Sequence, residues 1–142
     1  MQPEERTEFL KWIASLQINQ EVVEKLLPHL PDEADLDPEF PNWIGSVSRI
    51  MSMNDPKHGF GLPKEPLEEG FLIIGSCPNG DPVVVSLGNP QLPVFYISHE
   101  QMHSNPLLKV IRKVSASIDD YDKALSNKDS DIPLDYWDAP KS

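Results

Sequence analysis

The string His99-Glu-Gln-Met-His103 is where this chain could do chemistry. Two histidines one helical turn apart can bind zinc, and a glutamate between them can activate a metal-bound water, so His99, Glu100 and His103 define a candidate hydrolase centre. That chemistry requires the five residues to share one face of a stable helix. The flanks predict otherwise: Val94-Phe-Tyr-Ile97 is strand-like, and Asn105-Pro106 stops a helix barely one turn on. A third protein ligand would have to come from elsewhere, with Asp119, Asp120 and Asp122 the nearest downstream carboxylates. The competing reading has His99 and Glu100 closing a strand and opening a short turn. It is preferred, so no catalytic residue, metal or cofactor is assigned.

A second cluster points to binding. Asp32-Glu-Ala-Asp-Leu-Asp-Pro-Glu39 is the densest run of one charge in the chain and leads into Phe40-Pro41. It lacks the central glycine and closing glutamate of a calcium loop, so it reads as a solvated loop or a partner surface. Asp32, Glu33, Asp35, Asp37 and Glu39 would steer a basic protein, while Phe40, Trp43 and Trp137 would make close contact. The Tyr136-Trp137 pair predicts either a tail docked on the domain or an exposed anchor.

Composition narrows the classes. Twelve basic against 23 acidic residues give a net charge of −11, which repels nucleic-acid phosphates and anionic membranes. No local basic patch reverses that field. The 15 prolines are about twice the ~5% norm, yet they are scattered as punctuation and form no tract. A lone cysteine, Cys77, cannot form an internal disulfide and fits a reducing compartment. No apolar run of membrane-spanning length is present, and Pro3-Glu-Glu-Arg6 is unlike a secretory signal, so a cytoplasmic location is expected. A chain of 142 residues suits one domain burying roughly two thirds of its unfolded surface.

The elements follow from periodicity. Phe9, Trp12, Ile13 and Leu16 make one helical stripe, and Val22, Val23, Leu26, Leu27 and Leu30 make another, with Asn19 as its N-cap and Pro28 and Pro31 near its end. Trp43-Ile44 is a short strand before a helix capped by Ser46. Residues 54–66 are a Gly- and Pro-rich loop. Phe71 to Ile74, Val83 to Leu87 and Val94 to Ile97 predict an antiparallel meander, with a tight turn at Asn79-Gly80 that uses positive φ at both residues. Val110 to Val114 is a last strand, and Ser117-Ile-Asp-Asp120 caps a final helix. This places helices at about 4–30, a core sheet at about 43–118, a helix at about 118–126 and a polar tail over 127–142.

Three runs carry a family likeness: Gly70 to Leu87, Val94 to Glu100, and Val114 to Leu125. Together they resemble the SUKH superfamily of yeast cell-wall-synthesis regulators and bacterial immunity proteins, in which strand, Gly-Asp turn, strand, His-Glu strand end and serine-capped helix follow in this order. The usual proline-led phrase and Asn-Gly-Gly of the amino-terminal part are missing here. The resemblance implies a single α+β domain with a central, mainly antiparallel, curved sheet flanked by helices. It also implies a binding function without catalysis: a protein partner, such as a basic nuclease toxin neutralised by direct association. A regulatory adaptor without a toxin is the third class, beside the zinc hydrolase.

Overall fold

The computed structural model describes residues 3–31, 42–54, 66–127 and 131–140. Five strands form one open sheet in the order β1 (Trp43–Ile44), β2 (Phe71–Ser76), β3 (Pro82–Ser86), β4 (Val94–Ile97) and β5 (Ile111–Ser115), every neighbouring pair antiparallel. Among the described residues four α-helices pack with the sheet in an α+β domain: α1 (Pro3–Ser15), α2 (Gln20–Leu26), α3 (Val47–Met53) and α4 (Ile118–Ser126). The predicted meander is therefore real and extends by one strand at each side.

Alternation along the strands builds two cores. Leu72, Ile74, Val83, Val85, Val94 and Tyr96 face one way and pack with Phe9, Ile13, Val23, Leu26, Ile50 and Ile118 of the helices. Phe71, Ile73, Val84 and Ile97 face the other way, where Met102, Leu107 and Val110 cover them. Both faces of the sheet are thus buried. The second cover comes from turns and a 3-10 segment, Leu107–Lys109.

Caps fall where residue chemistry asks for them. Asn19 accepts from Glu21 N at 2.8 Å, Ser46 receives the Arg49 N–H, and Ser117 receives that of Asp120 at 3.1 Å. The β2–β3 reversal is wider than a two-residue Asn-Gly turn. Gly80 N donates to Cys77 O at 3.0 Å, so Pro78 and Asn79 occupy the corner and only Gly80 takes positive φ, +95°.

The outer edge of β2 is closed by two devices. β1 is only two residues long and lies so near that a Cβ on Gly75 would sit 1.8 Å from Trp43 O. Beyond it the Asn54 side chain stands in for a strand, receiving Ile73 N–H at 3.0 Å and donating to Ile73 O at 2.8 Å. Asn54 is buried and also donates to Ile50 O at 2.7 Å, which ties the end of α3 to the sheet.

Candidate functional site

The HExxH string does not form a helix. Ser98 is buried at the end of β4 and residues 99–104 run through successive turns, closed by Gln101 and Met102 N–H bonds to Ser98 O. Met102 points into the second core, while Glu100 and His103 lie exposed. His99 turns inward to Asp81: its backbone N–H and its Nδ1 approach Asp81 Oδ1 at 2.9 and 2.5 Å. Among the described residues no group of three His, Cys, Asp or Glu side chains is placed to hold a metal ion. Asp119 and Asp122 are engaged elsewhere, flanking His29 on its two ring nitrogens at 2.6 Å each. Asp119 also takes the Lys25 ammonium, and that bond first, with His29 beside it, holds its carboxyl below the ordinary range.

Asp81 is fully buried and organises one end of the sheet. Its Oδ2 accepts the Asn79 amide and the Tyr136 backbone N–H, each at 2.9 Å. Burial alone would raise its carboxyl, but the bonds from His99, Tyr136 and Asn79 outweigh that and hold it low. It is therefore an ionised structural acceptor. The sequence placed it in the Gly-Asp turn but gave no sign of its partners, which lie up to 55 residues away.

Asp81 secures the carboxy-terminal segment against the sheet end, together with Tyr96, Asn42 and Arg112. Tyr96 OH donates to Pro133 O at 2.7 Å, lies 2.8 Å from Tyr121 OH, and accepts from Asn42 Nδ2 at 3.0 Å. Asn42 also donates to Leu134 O at 3.1 Å, so the residue before Trp43 touches the tail directly. Arg112 of β5 stacks 4.1 Å above the Tyr136 ring and donates through Nη1 to Tyr136 O at 3.0 Å. Burial pushes the Cys77 thiol and the Tyr96 and Tyr121 hydroxyls well above their ordinary values. These groups are thereby held in their protonated forms.

The fixed segment divides its side chains. Ile132, Tyr136 and Ala139 are buried, whereas Leu134 and Trp137 are 48% and 51% exposed. The two alternatives expected of the aromatic pair divide between its members: Tyr136 is docked and Trp137 is half exposed, edge-on to Tyr136 at 5.1 Å. Of the other partner-binding candidates, Trp43 is half-buried with the Arg49 guanidinium 5.0 Å over its ring. Asp32, Glu33, Asp35, Asp37, Glu39 and Phe40 lie outside the described residues.

Comparison with family models, with curated proteins and with solved structures returns no significant match.

Proposed function

We propose that this chain is a non-catalytic protein-binding domain that neutralises a basic protein, in the manner of a toxin-immunity protein. One observation carries the reading. Trp137 stands half exposed beside Leu134 on a segment fixed by Asp81, Tyr96 and Arg112, in a chain of net charge −11. An exposed aromatic on a backbone that is already fixed costs less ordering on binding than one on a loose tail, which suits an interface anchor. The surrounding negative charge attracts a cationic partner at long range and selects against nucleic acid. The likeness of Gly70–Leu87, Val94–Glu100 and Val114–Leu125 to the SUKH superfamily supports a binding role and, within it, an immunity role.

The test is co-expression with the product of the adjacent gene in a host that this product poisons. Rescue of growth, a stable purified complex and an association rate that falls as ionic strength rises are the expected results. Trp137→Ala should weaken the complex at least about tenfold, as for a central aromatic anchor. An association rate indifferent to salt refutes the electrostatic part. Failure of every neighbouring product to bind refutes the toxin assignment.

A further inference from the structure

Of the seven asparagines in the chain, Asn79 alone is followed by glycine. A side-chain amide can be attacked by the backbone nitrogen of the next residue, and glycine offers that nitrogen with no Cβ beside it. Asn89 and Asn105 precede proline, which has no N–H to give up, and Asn19, Asn42, Asn54 and Asn127 precede bulkier residues. Asn79 is exposed at the corner of the β2–β3 turn. Its side chain reaches across Gly80, with Oδ1 accepting the Asp81 backbone N–H at 3.0 Å. Its Nδ2 donates at 2.9 Å to Asp81 Oδ2, the same oxygen that accepts the Tyr136 N–H. The reactive amide thus touches the carboxylate that holds the tail.

From this we infer that Asn79-Gly80 is a deamidation site whose conversion releases the hold of Asp81 on Tyr136, a modification that goes beyond the protein-binding reading and stands without it. The Gly80 nitrogen gives its proton to hydroxide and bonds to Asn79 Cγ; the Cγ–Nδ2 bond breaks, and ammonia leaves with a proton taken from water. One water then opens the cyclic imide at either carbonyl, giving an aspartate or an isoaspartate. Overall the amide and water become a carboxylate and ammonium, and nothing is oxidised or reduced. The Gly80 N–H is bonded to Cys77 O at 3.0 Å, so the reaction waits for the turn to open and runs slower in the folded chain than in an unfolded one. Both products present a carboxylate where Nδ2 faced Asp81 Oδ2, and two carboxylates so close repel. Isoaspartate also adds a backbone carbon to a turn closed by the Cys77 N–H on Asp81 O at 2.9 Å. Asp81 is displaced in either case, and the Tyr136 N–H loses its acceptor.

The full chain is held in mildly alkaline buffer, beside the same chain in urea, and both are mapped by peptide mass spectrometry. A gain of about one dalton, with ammonia released, is expected at the Asn79 peptide ahead of every other asparagine, more slowly than in urea. Amide exchange at Tyr136 should quicken at least about tenfold in the aged chain and in Asn79→Asp, the loss of one hydrogen bond to a charged group. The aged wild-type chain, compared with itself before ageing, gives the same reading if Asn79→Asp folds poorly. Asn79→Ser, which has no amide and adds no charge, should keep its mass and its Tyr136 exchange rate through the same incubation. A folded chain that stays unmodified while the urea sample converts, equal conversion at other asparagines, or unchanged Tyr136 exchange after conversion each overturns the inference. No partner enters these readouts, so their failure leaves the protein-binding reading intact.

Discussion

Asp81 and Tyr136, 55 residues apart, are joined by a 2.9 Å bond from the Tyr136 backbone N–H to Asp81 Oδ2. A turn residue of the central hairpin thereby fixes the backbone at Tyr136. It also decides where Trp137 points, because Trp137 follows immediately on the held peptide.

Replacing Asp81 by alanine removes a buried anion that accepts from His99, Asn79 and Tyr136 and leaves those donors without it. A loss of about 2–4 kcal/mol is expected from orphaned buried donors, measured by urea unfolding. Asn at this position should recover only part, since its amide NH₂ would face donors. Proteolysis after residue 127 should quicken in both variants, and normal protection of the tail in Asp81→Ala would refute the coupling.

Acid should act through the same group. The Asp81 and Asp119 carboxyls both lie below their ordinary value of 3.8 in the folded chain. The unfolded chain therefore binds more protons between the folded and ordinary values, and stability rises with pH across that window. It is fully present above the ordinary value and is lost as pH falls through the lowered ones. Urea midpoints taken from pH 6 down to pH 2.5 should drop steeply below about pH 4, and Asp81→Asn should flatten the curve. A wild-type midpoint constant over that range would contradict the assignment.

Local signals in the sequence located most of the fold. Asn19, Ser46 and Ser117 cap the helices as their types demand, and the β-branched runs at 71–74 and 83–87 pair as a meander. Asp81, Asn54 and Arg112 were not legible as functional or structural centres. Each acts through partners distant in sequence, Ile73 for Asn54 and Tyr136 for Arg112, and periodicity carries no trace of such pairings. The Tyr136-Trp137 pair was legible as a feature of the tail, because an aromatic pair in a polar stretch is unusual; which of the two rings would stay outside was not.

Gly75 has a purely steric duty. A methyl there would overlap the backbone Trp43 O at 1.8 Å, an atom that cannot rotate away, so Gly75→Ala must push β1 away from β2. The cost expected is about 2–4 kcal/mol, with amide protection lost first at Gly45, whose N–H donates to Ile74 O at 2.7 Å. Protection of Gly45 equal to wild type would show that β1 adapts.

Asn54 replaces a strand partner for a single residue. In Asn54→Ala the Ile73 N–H loses the carbonyl it donates to, and Ile73 O loses its amide donor, inside the second core. Two stranded backbone groups should cost about 2–4 kcal/mol by denaturant titration. Asp should rescue only half of the arrangement, keeping the acceptor for Ile73 N and placing an anion near Ile73 O. If Asn54→Asp proved as stable as wild type at pH 7, the donor half of the pair would be irrelevant.

His99 and His103 separate the two readings of the same five-residue string. In a zinc centre both are ligands, so alanine at either should remove metal and affect the protein alike. In the turn observed, His99 bonds the buried Asp81 at 2.5 Å while His103 is exposed. His99→Ala should then lower stability by about 1–3 kcal/mol, the range for a hydrogen bond to a charged group, and His103→Ala should change it by less than about 0.5 kcal/mol. Elemental analysis of chain purified without chelators completes the comparison. Near-stoichiometric zinc that vanishes equally in both variants would install the hydrolase reading, because exposed His103 has no other reason to matter.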